Sequence, residues 1–216
     1  MAVKGMFDYS VLHWTTFFTA VVLLNLSPGP DFAFILAQTA RGGRRLGFAA
    51  MFGIWTGALG HVVMAAIGLS AVLATSATAF SVIKWAGAAY LIWLGISAFR
   101  SSSTAPVKSA APRNTALFPI YRQGVLVSLL NPKVGIFFLA FLPQFVVDGA
   151  GPNWAQLALH GILIIVVAAL IEPLLVLTGE KVISAVKANA RVGRLMDRTL
   201  GVLFISLGVR LALQER

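Results

Sequence analysis

The stretch Asn25-Leu26-Ser27-Pro28-Gly29-Pro30-Asp31 interrupts an otherwise apolar run over residues 11–40. An intact helix cannot cross it, because proline lacks an amide donor and clashes with the preceding turn, and Gly29 permits unusual backbone dihedrals. A second interruption, Leu130-Asn131-Pro132-Lys133, breaks the apolar run over residues 121–147. Broken backbone at membrane depth is tolerated only where it is buried in protein or lines a cavity. Interrupted segments in matching places of two halves therefore point to a transporter-like binding site.

The composition is that of a membrane protein. Of the 216 residues, 58% are hydrophobic and only 11% are charged, and the mean hydropathy is +0.87. A typical soluble domain has about 25% charged residues. Several apolar runs also exceed the ~20 residues that a helix needs to cross a bilayer. The sequence therefore predicts an all-α integral membrane protein.

The chain is strongly basic, with 17 Lys and Arg against 7 Asp and Glu, for a net charge of +10. In a soluble protein this excess would suggest binding to nucleic acid. Here the basic residues cluster in alternate short loops, a pattern that sets membrane orientation. No nucleic-acid partner is expected. The absence of cysteine excludes disulfides and thiolate metal sites.

We predict six transmembrane helices, the first and fourth of them broken: 11–40, 46–73, 79–99, 121–147, 154–177 and 199–213. Residues 1–99 would form one three-helix repeat and residues 121–216 a second, joined by a cytoplasmic linker at 100–120. Because each repeat has an odd number of spans, the two halves would be inverted relative to each other. The loops with Lys and Arg are expected in the cytoplasm and both termini outside. If the first broken segment is re-entrant, the N-terminus lies inside and five spans remain.

The two breaks are expected to form the binding site. The half-helices that begin at Pro30 and Pro132 present unpaired amide donors and positive dipole ends. If both face one cavity, they favour an anionic group such as the carboxylate of an amino acid. The alternative is that both are proline kinks whose backbone groups are satisfied by neighbouring helices. The candidate substrate-binding or coupling residues are Asn25, Pro28, Gly29, Pro30, Asp31, His61, Asn131, Pro132, Lys133 and Glu172.

Ionisable side chains within the spans are functional candidates by default. Asp31 either stabilises the N-terminus of its own half-helix or binds a substrate ammonium or a proton. Lys133 opposes the dipole of its half-helix, so it needs an anionic partner unless it reaches the membrane surface. His61 is either part of hydrogen-bonded structure or a substrate or proton ligand. Glu172 is a second coupling carboxylate or a partner of Lys133.

The first stretch, followed by Gly53-Ile54-Trp55-Thr56-Gly57, resembles the first half of the LysE/RhtB amino-acid exporters. Leu130-Asn131-Pro132-Lys133, with Phe137-Phe138-Leu139-Ala140-Phe141-Leu142-Pro143-Gln144-Phe145, is similar to the second conserved block of that family. The homoserine/threonine-type branch is the closer match. Lysine and arginine exporters of the family carry an acidic residue where this chain has His61, which argues against a dibasic substrate.

The resemblance implies a bacterial inner-membrane secondary transporter, not an enzyme, that exports amino acids or close derivatives in exchange for protons. Its expected partners are the amino acid, protons and the lipid bilayer; a homo-oligomer is left open, and no cofactor or resident metal is expected. The alternative is an exporter of divalent metal or other small cations. Such a site needs several hard oxygen ligands, and Asp31, Glu172 and His61 are few for that purpose.

Overall fold

The computed structural model describes residues 7–26, 29–71, 77–100 and 116–188, together with 198, 201–202, 205–206, 208–209 and 212–213. Throughout these ranges the regular elements are helices, and no strand occurs among them. The α-helices are α1 (Val11–Leu26), α2 (Pro30–Met64), α3 (Ala77–Arg100), α4 (Leu117–Leu129), α5 (Pro132–Ala140) and α6 (Asn153–Ala188). A π-helical turn (Ala65–Leu69) follows α2, and a short 3-10 helix (Leu142–Phe145) follows α5. The predicted site residue Pro28, most of the predicted linker and much of the sixth predicted span lie outside the described residues.

Several helices are long and apolar enough to cross a membrane. The helical stretch Pro30–Leu69, which ends in one π-helical turn, contains a window of mean hydropathy 1.6, and Asn153–Gly179 contains one of 2.6. Leu117–Leu129 and Pro132–Phe145 pass the same test together, as a pair bent by 48°. By length and composition, and with Pro30–Leu69 counted as one helix, the described residues hold two helices that could cross a membrane, or three if the bent pair is one span. The described part of this membrane protein is helical throughout its regular elements.

The polypeptide reverses direction inside α2. Gly42 (φ −146°, ψ 26°) and Gly43 (φ 69°, ψ −164°) leave the helical conformation, and the left-handed φ of Gly43 is one that glycine adopts without steric cost. A Cβ on Gly47 would collide with the side chain of Thr39. Residues eight apart in a straight helix are separated by about 12 Å, so this contact requires the two arms to fold back on each other. The reversal is centred on these two glycines, and Arg41, Arg44 and Arg45 flank it.

Glycines allow the second arm of α2 to pack closely on α4. A Cβ on Gly57 would lie 2.6 Å from Ser128 Cβ and 2.7 Å from the carbonyl oxygen of Val125. On the opposite helix, a Cβ on Gly124 would lie 2.6 Å from the carbonyl oxygen of Ala50. Larger side chains would therefore push the two backbones apart. Small residues of this kind are typical of close helix contacts in membranes.

Two helix boundaries differ from those expected. α4 begins at Leu117 rather than residue 121, although Pro119 lies in its first turn. Proline is tolerated there because the first amide groups of a helix have no partner within it. α6 continues to Ala188, past the predicted end at 177. The apolar pattern marks only the segment suited to the bilayer, whereas the following Lys, Glu and Ala residues are good helix formers in any surroundings.

A buried aromatic cluster fixes α5 in place. Phe137 of α5 and Phe141, the C-cap residue that follows α5, stack with their ring centres 4.2 Å apart, and both are 0% exposed. Phe141 also stacks on Phe17 of α1, with centres 6.1 Å apart. Aromatic pairs of this kind add about 0.5–1.5 kcal/mol beyond the area they bury. The cluster thus holds the short helix α5, and with it the residues at its N-terminus.

Candidate functional site

A cavity of about 70 Å³ lies where the two broken segments meet. Residues from both breaks line it, including Gly29 and Asp31 from the first and Asn131 and Lys133 from the second. Its polar side chains are Asn25, Asp31, Trp55, Asn131, Lys133 and Glu172, and most of the remaining wall is apolar. A largely apolar pocket with a few convergent polar groups is the usual form of a small-molecule site.

A hydrogen bond joins the two breaks directly. Asn131 Nδ2 donates to Asp31 Oδ1 over 2.8 Å, across 100 residues of sequence. The other end of the same amide, Asn131 Oδ1, accepts from the backbone N–H of Lys133 over 3.0 Å and so caps α5. Asparagine is a favoured N-cap residue because it satisfies one of the orphan amides of the first turn. Asn131 therefore orients Asp31 and the start of α5 together.

The first break has a different local structure. Gly29 precedes α2 in an extended conformation (φ −166°, ψ −176°), and no side chain caps the helix. Asp31 lies in the first turn of α2, where a carboxylate complements the positive end of the dipole. Asn25 lines the cavity, but its Nδ2 donates to the carbonyl of Val21 within α1 over 2.9 Å. The amide donor of Asn25 is thus directed into its own helix.

Three charged side chains share the cavity. Lys133 lies close enough to interact electrostatically with Asp31, as its unfavourable place in the first turn of α5 requires. Asp31 in turn interacts electrostatically with Glu172. If all three are ionised, the cavity has two negative charges and one positive charge. Uptake of one cation, either a proton or a substrate ammonium, makes this set neutral.

Glu172 is held by a residue that the sequence did not single out as a site candidate. Trp55 Nε1 donates to Glu172 Oε2 over 2.7 Å, and only 8% of Glu172 is exposed. The bond connects the second arm of α2 to α6. An indole N–H in an apolar span needs an acceptor, and Glu172 is one of the few within the predicted spans. The sequence could therefore have indicated that Trp55 needs an acceptor, but not that Glu172 is that acceptor.

His61 is not among the described residues that line the cavity. Its Nε2 lies 3.0 Å from the carbonyl oxygen of Ser128, and because a carbonyl can only accept, Nε2 carries the proton. Ser128 lies four residues before Pro132, so its carbonyl lacks the donor that an unbroken helix would provide. It accepts instead from the backbone N–H of Asn131 over 3.1 Å, and His61 is a second donor. The ring also abuts Gly135, where a Cβ would lie 3.3 Å from Cε1. His61 therefore contacts the second break at Ser128 and Gly135 and does not face the cavity.

The described residues offer little to a metal ion. Nowhere within those ranges do three His, Cys, Asp or Glu side chains come close enough together to hold one. Asp31 and Glu172 share the cavity, but the other polar groups around them are amide, indole and ammonium groups. Lysine and the indole N–H are donors only and cannot ligate a cation.

Several known proteins are similar to this chain along most of its length. The chain is 30% identical over 204 residues to the homoserine/homoserine lactone efflux protein of Salmonella typhi, covering 92% of this chain and 95% of the relative. It is 24% identical over 212 residues to the leucine efflux protein of Salmonella choleraesuis, covering 95% and 97% of the two chains. An uncharacterized membrane protein of Vibrio cholerae is 35% identical over 160 residues, which are 73% and 76% of the two chains.

No solved structure matches the chain. Residues 22–215 match the family described as LysE type translocator, a match that includes the second part of α1 and both breaks. The resemblance seen in the two sequence blocks is thereby confirmed, as is the expectation of a transport protein rather than an enzyme. The chain belongs to the LysE type translocator family.

Proposed function

We propose that this protein exports amino acids or close derivatives across the bacterial inner membrane, by proton antiport. The observation that carries the proposal is the hydrogen bond between Asp31 and Asn131, which brings both breaks to one cavity. The names of the relatives, which are efflux proteins for homoserine, homoserine lactone and leucine, support an amino-acid substrate. They offer no support for the alternative of cation export.

The cavity can bind the two charged ends of an amino acid separately. A carboxylate fits near the amide groups at the starts of α2 and α5, where the helix dipoles favour negative charge, and close to Lys133. The ammonium group fits against Asp31 or Glu172. The apolar wall, which includes Leu24, Phe32 and Ile164, then suits an uncharged side chain rather than a second cation.

Proton coupling follows from competition for the same carboxylates. The proton and the substrate ammonium are both cations, and either one neutralises the cavity. A carboxylate that binds one cannot bind the other at the same time. If release of substrate on the outer side is accompanied by proton uptake, return of the empty transporter brings the proton inward. Asp31 and Glu172 are the groups that would carry this exchange.

The proposed architecture is a 3+3 inverted repeat of six spans with basic loops in the cytoplasm. Residues 1–99 form the first repeat, residues 100–120 a cytoplasmic linker, and residues 121–216 the second repeat, with both termini outside. An accessibility tag inserted between Arg100 and Phe118 tests this orientation. We expect labelling only after the membrane is permeabilised. Labelling of intact cells or sealed spheroplasts would overturn the orientation.

Counterflow in proteoliposomes tests the substrate and the coupling together. Vesicles loaded with unlabelled leucine, homoserine, threonine or lysine are diluted into trace amounts of the same labelled compound. We expect accumulation with a neutral or hydroxy amino acid, none with lysine, and a faster exchange when a proton gradient is imposed. Absence of counterflow with every amino acid would contradict the proposed substrate class. If the exchange rate did not change with the proton gradient, proton antiport would be contradicted but the proposed substrate class would not.

A further inference from the structure

An apolar groove runs along the outer face of the seam between α2 and α4. One part of it, of about 410 Å³, lies between Phe48 and Phe52 of α2 and Phe118 of α4. A second part, of about 510 Å³, continues past Leu59 and is closed on its other side by α6. Phe52 and Tyr121 line both parts, so the two form one continuous feature. We call this feature the α2–α4 groove.

Apart from Arg45 at one end, the groove is lined mainly by apolar side chains, and the hydroxyl groups in it are already hydrogen-bonded. Tyr121 Oη donates to Thr56 Oγ1 over 3.0 Å, and Thr56 Oγ1 donates to the carbonyl of Phe52 over 3.0 Å. This chain of bonds leaves no hydroxyl donor for an apolar occupant to bury unpaired. Large apolar side chains stand open along the edge, with Phe52 50% and Leu59 48% exposed.

One end of the groove is basic. Arg45 lines it there and is exposed. The guanidinium carbon of Arg122 lies 5.9 Å from the centre of the Phe118 ring, which lines the same end. Among the described residues, no acidic side chain lines either part of the groove. The electrostatic pattern is therefore two guanidinium groups at one end and hydrocarbon along the rest.

The length of the apolar part corresponds to one leaflet. From Phe48 to Leu59 the helix advances 11 residues, or about 16 Å at the α-helical rise. Half of the hydrocarbon core of a bilayer is roughly 15 Å thick. Arg45 lies almost one turn before Phe48, at the depth where a lipid headgroup begins. Basic pockets between membrane helices are a known way to hold anionic headgroups.

We propose that the α2–α4 groove is a binding site for one anionic phospholipid. Its phosphate lies against Arg45 and Arg122, and an acyl chain lies along Phe52 and Leu59 towards α6. The site borders the transport cavity, because Trp55 and Ile165 line both. A bound acyl chain would thus pack against the outer side of the indole whose N–H bonds Glu172.

Native mass spectrometry of the detergent-purified protein tests the site. The protein is titrated with phosphatidylglycerol and with phosphatidylcholine of identical acyl chains. We expect the first tight adduct to favour phosphatidylglycerol, and Arg45→Gln to weaken that adduct about five-fold, since one basic residue near a membrane surface contributes on the order of 1 kcal/mol. Arg44→Gln is the matched control, because exposed Arg44 does not line the groove.

A second pair of variants tests the acyl-chain contact. Ala169 lines the groove from α6, so Ala169→Phe fills the space and should weaken both lipid adducts. Leu170→Phe is its control, because Leu170 is 71% exposed and lies outside the lining. Equal binding of the two lipids, equal effects of Arg44→Gln and Arg45→Gln, or displacement by inorganic phosphate would each overturn the proposal. The proposal would also be overturned if the spectra showed dimers instead of lipid adducts and Ala169→Phe removed those dimers, because a second copy of the chain would then occupy the groove.

Discussion

The break around Asp31 and the break around Asn131 occupy matching places in the chain, yet they are stabilised differently. The second break supplies its own N-cap through the Asn131 side chain, and the Ser128 carbonyl accepts from both the Asn131 backbone N–H and His61. The first break has an extended glycine and no side-chain cap. Its acidic residue instead bonds across to Asn131. The first half thus depends on the second for the geometry of its charged group.

The charges differ in the same way. A carboxylate in the first turn of α2 suits the helix dipole, whereas the ammonium of Lys133 in the first turn of α5 opposes it. Asp31 would be tolerated there without a partner, but Lys133 needs the anions around it. The second break is thus stabilised by its own cap, whereas the charged group of the first is held by a residue of the second. Substitutions in the two breaks should therefore have unequal effects.

The largest effect is expected from Asp31→Asn. It retains the shape of the side chain and an oxygen that can accept from Asn131, but it removes the charge that interacts with Lys133 and strengthens that hydrogen bond. Hydrogen bonds to charged groups contribute about 1.5–3 kcal/mol, so counterflow should fall about 10- to 100-fold with normal membrane insertion. Asp8→Asn, in an exposed residue before α1, is the control. Normal transport by Asp31→Asn would remove Asp31 from the mechanism.

Asn131→Asp separates the two functions of that side chain. A carboxylate can still accept from the Lys133 amide and cap α5, but it cannot donate to Asp31 and adds a like charge beside it. We expect counterflow to fall by about ten-fold while the melting temperature changes little. Asn131→Ala should lower both, since loss of an N-cap costs about 1 kcal/mol. Transport by Asn131→Asp at the normal rate would mean that only the cap matters.

Lys133→Ala tests whether the second break contributes charge as well as support. Removal of the ammonium leaves Asp31 and Glu172 as neighbouring like charges in one cavity. We expect a several-fold fall in transport and a shift of its pH dependence, because a second proton is then needed for neutrality. Lys84→Ala, in a half-buried residue of α3 beside Trp85, is the comparison variant. An unchanged pH profile in Lys133→Ala would contradict the charge balance proposed above.

Gly57→Ala tests whether the support is positioned by close helix packing. Its Cβ would lie 2.6 Å from Ser128 Cβ, one turn before the break, so α2 and α4 must separate. Overpacking of this kind costs about 1–3 kcal/mol, and we expect a lower melting temperature in detergent. Gly68→Ala is matched, because nothing lies within 4 Å of its added Cβ. Equal melting temperatures for the two variants would show that this contact does not limit stability.

The smallest effect is expected from Trp55→Phe. The ring still fills the space between the cavity and the α2–α4 groove, but the indole N–H no longer bonds Glu172. One neutral donor contributes about 1 kcal/mol, so transport should fall a few-fold. Trp55→Phe and Glu172→Gln could each reduce transport by more than a few-fold, with no further loss in the double variant. That result would show that both variants act by removing the same hydrogen bond.

Much of the local structure could be predicted because its causes are local. Proline removes an amide donor whatever surrounds it, so the breaks before Pro30 and Pro132 could be located from sequence. The reversal at Gly42 and Gly43 follows from two adjacent glycines between arginines. The hydrogen-bond partners of the site residues were harder to predict from sequence. Trp55 and Glu172 are separated by 117 residues, and no local pattern selects one distant acceptor from another.

The sequence by itself determined that this chain is a helical membrane protein of the LysE type translocator family with two proline interruptions, because composition, proline positions and motif residues need no partner to act. Only the tertiary structure decided that the breaks meet. α2 packs closely on α4 at Gly53, Gly57 and Gly124, and the side chains of Asp31 and Asn131, one from each break, lie within hydrogen-bonding distance. The same packing directs His61 to the carbonyl of Ser128 instead of the cavity. A side chain's chemistry is local, but its partner depends on which backbones can approach each other.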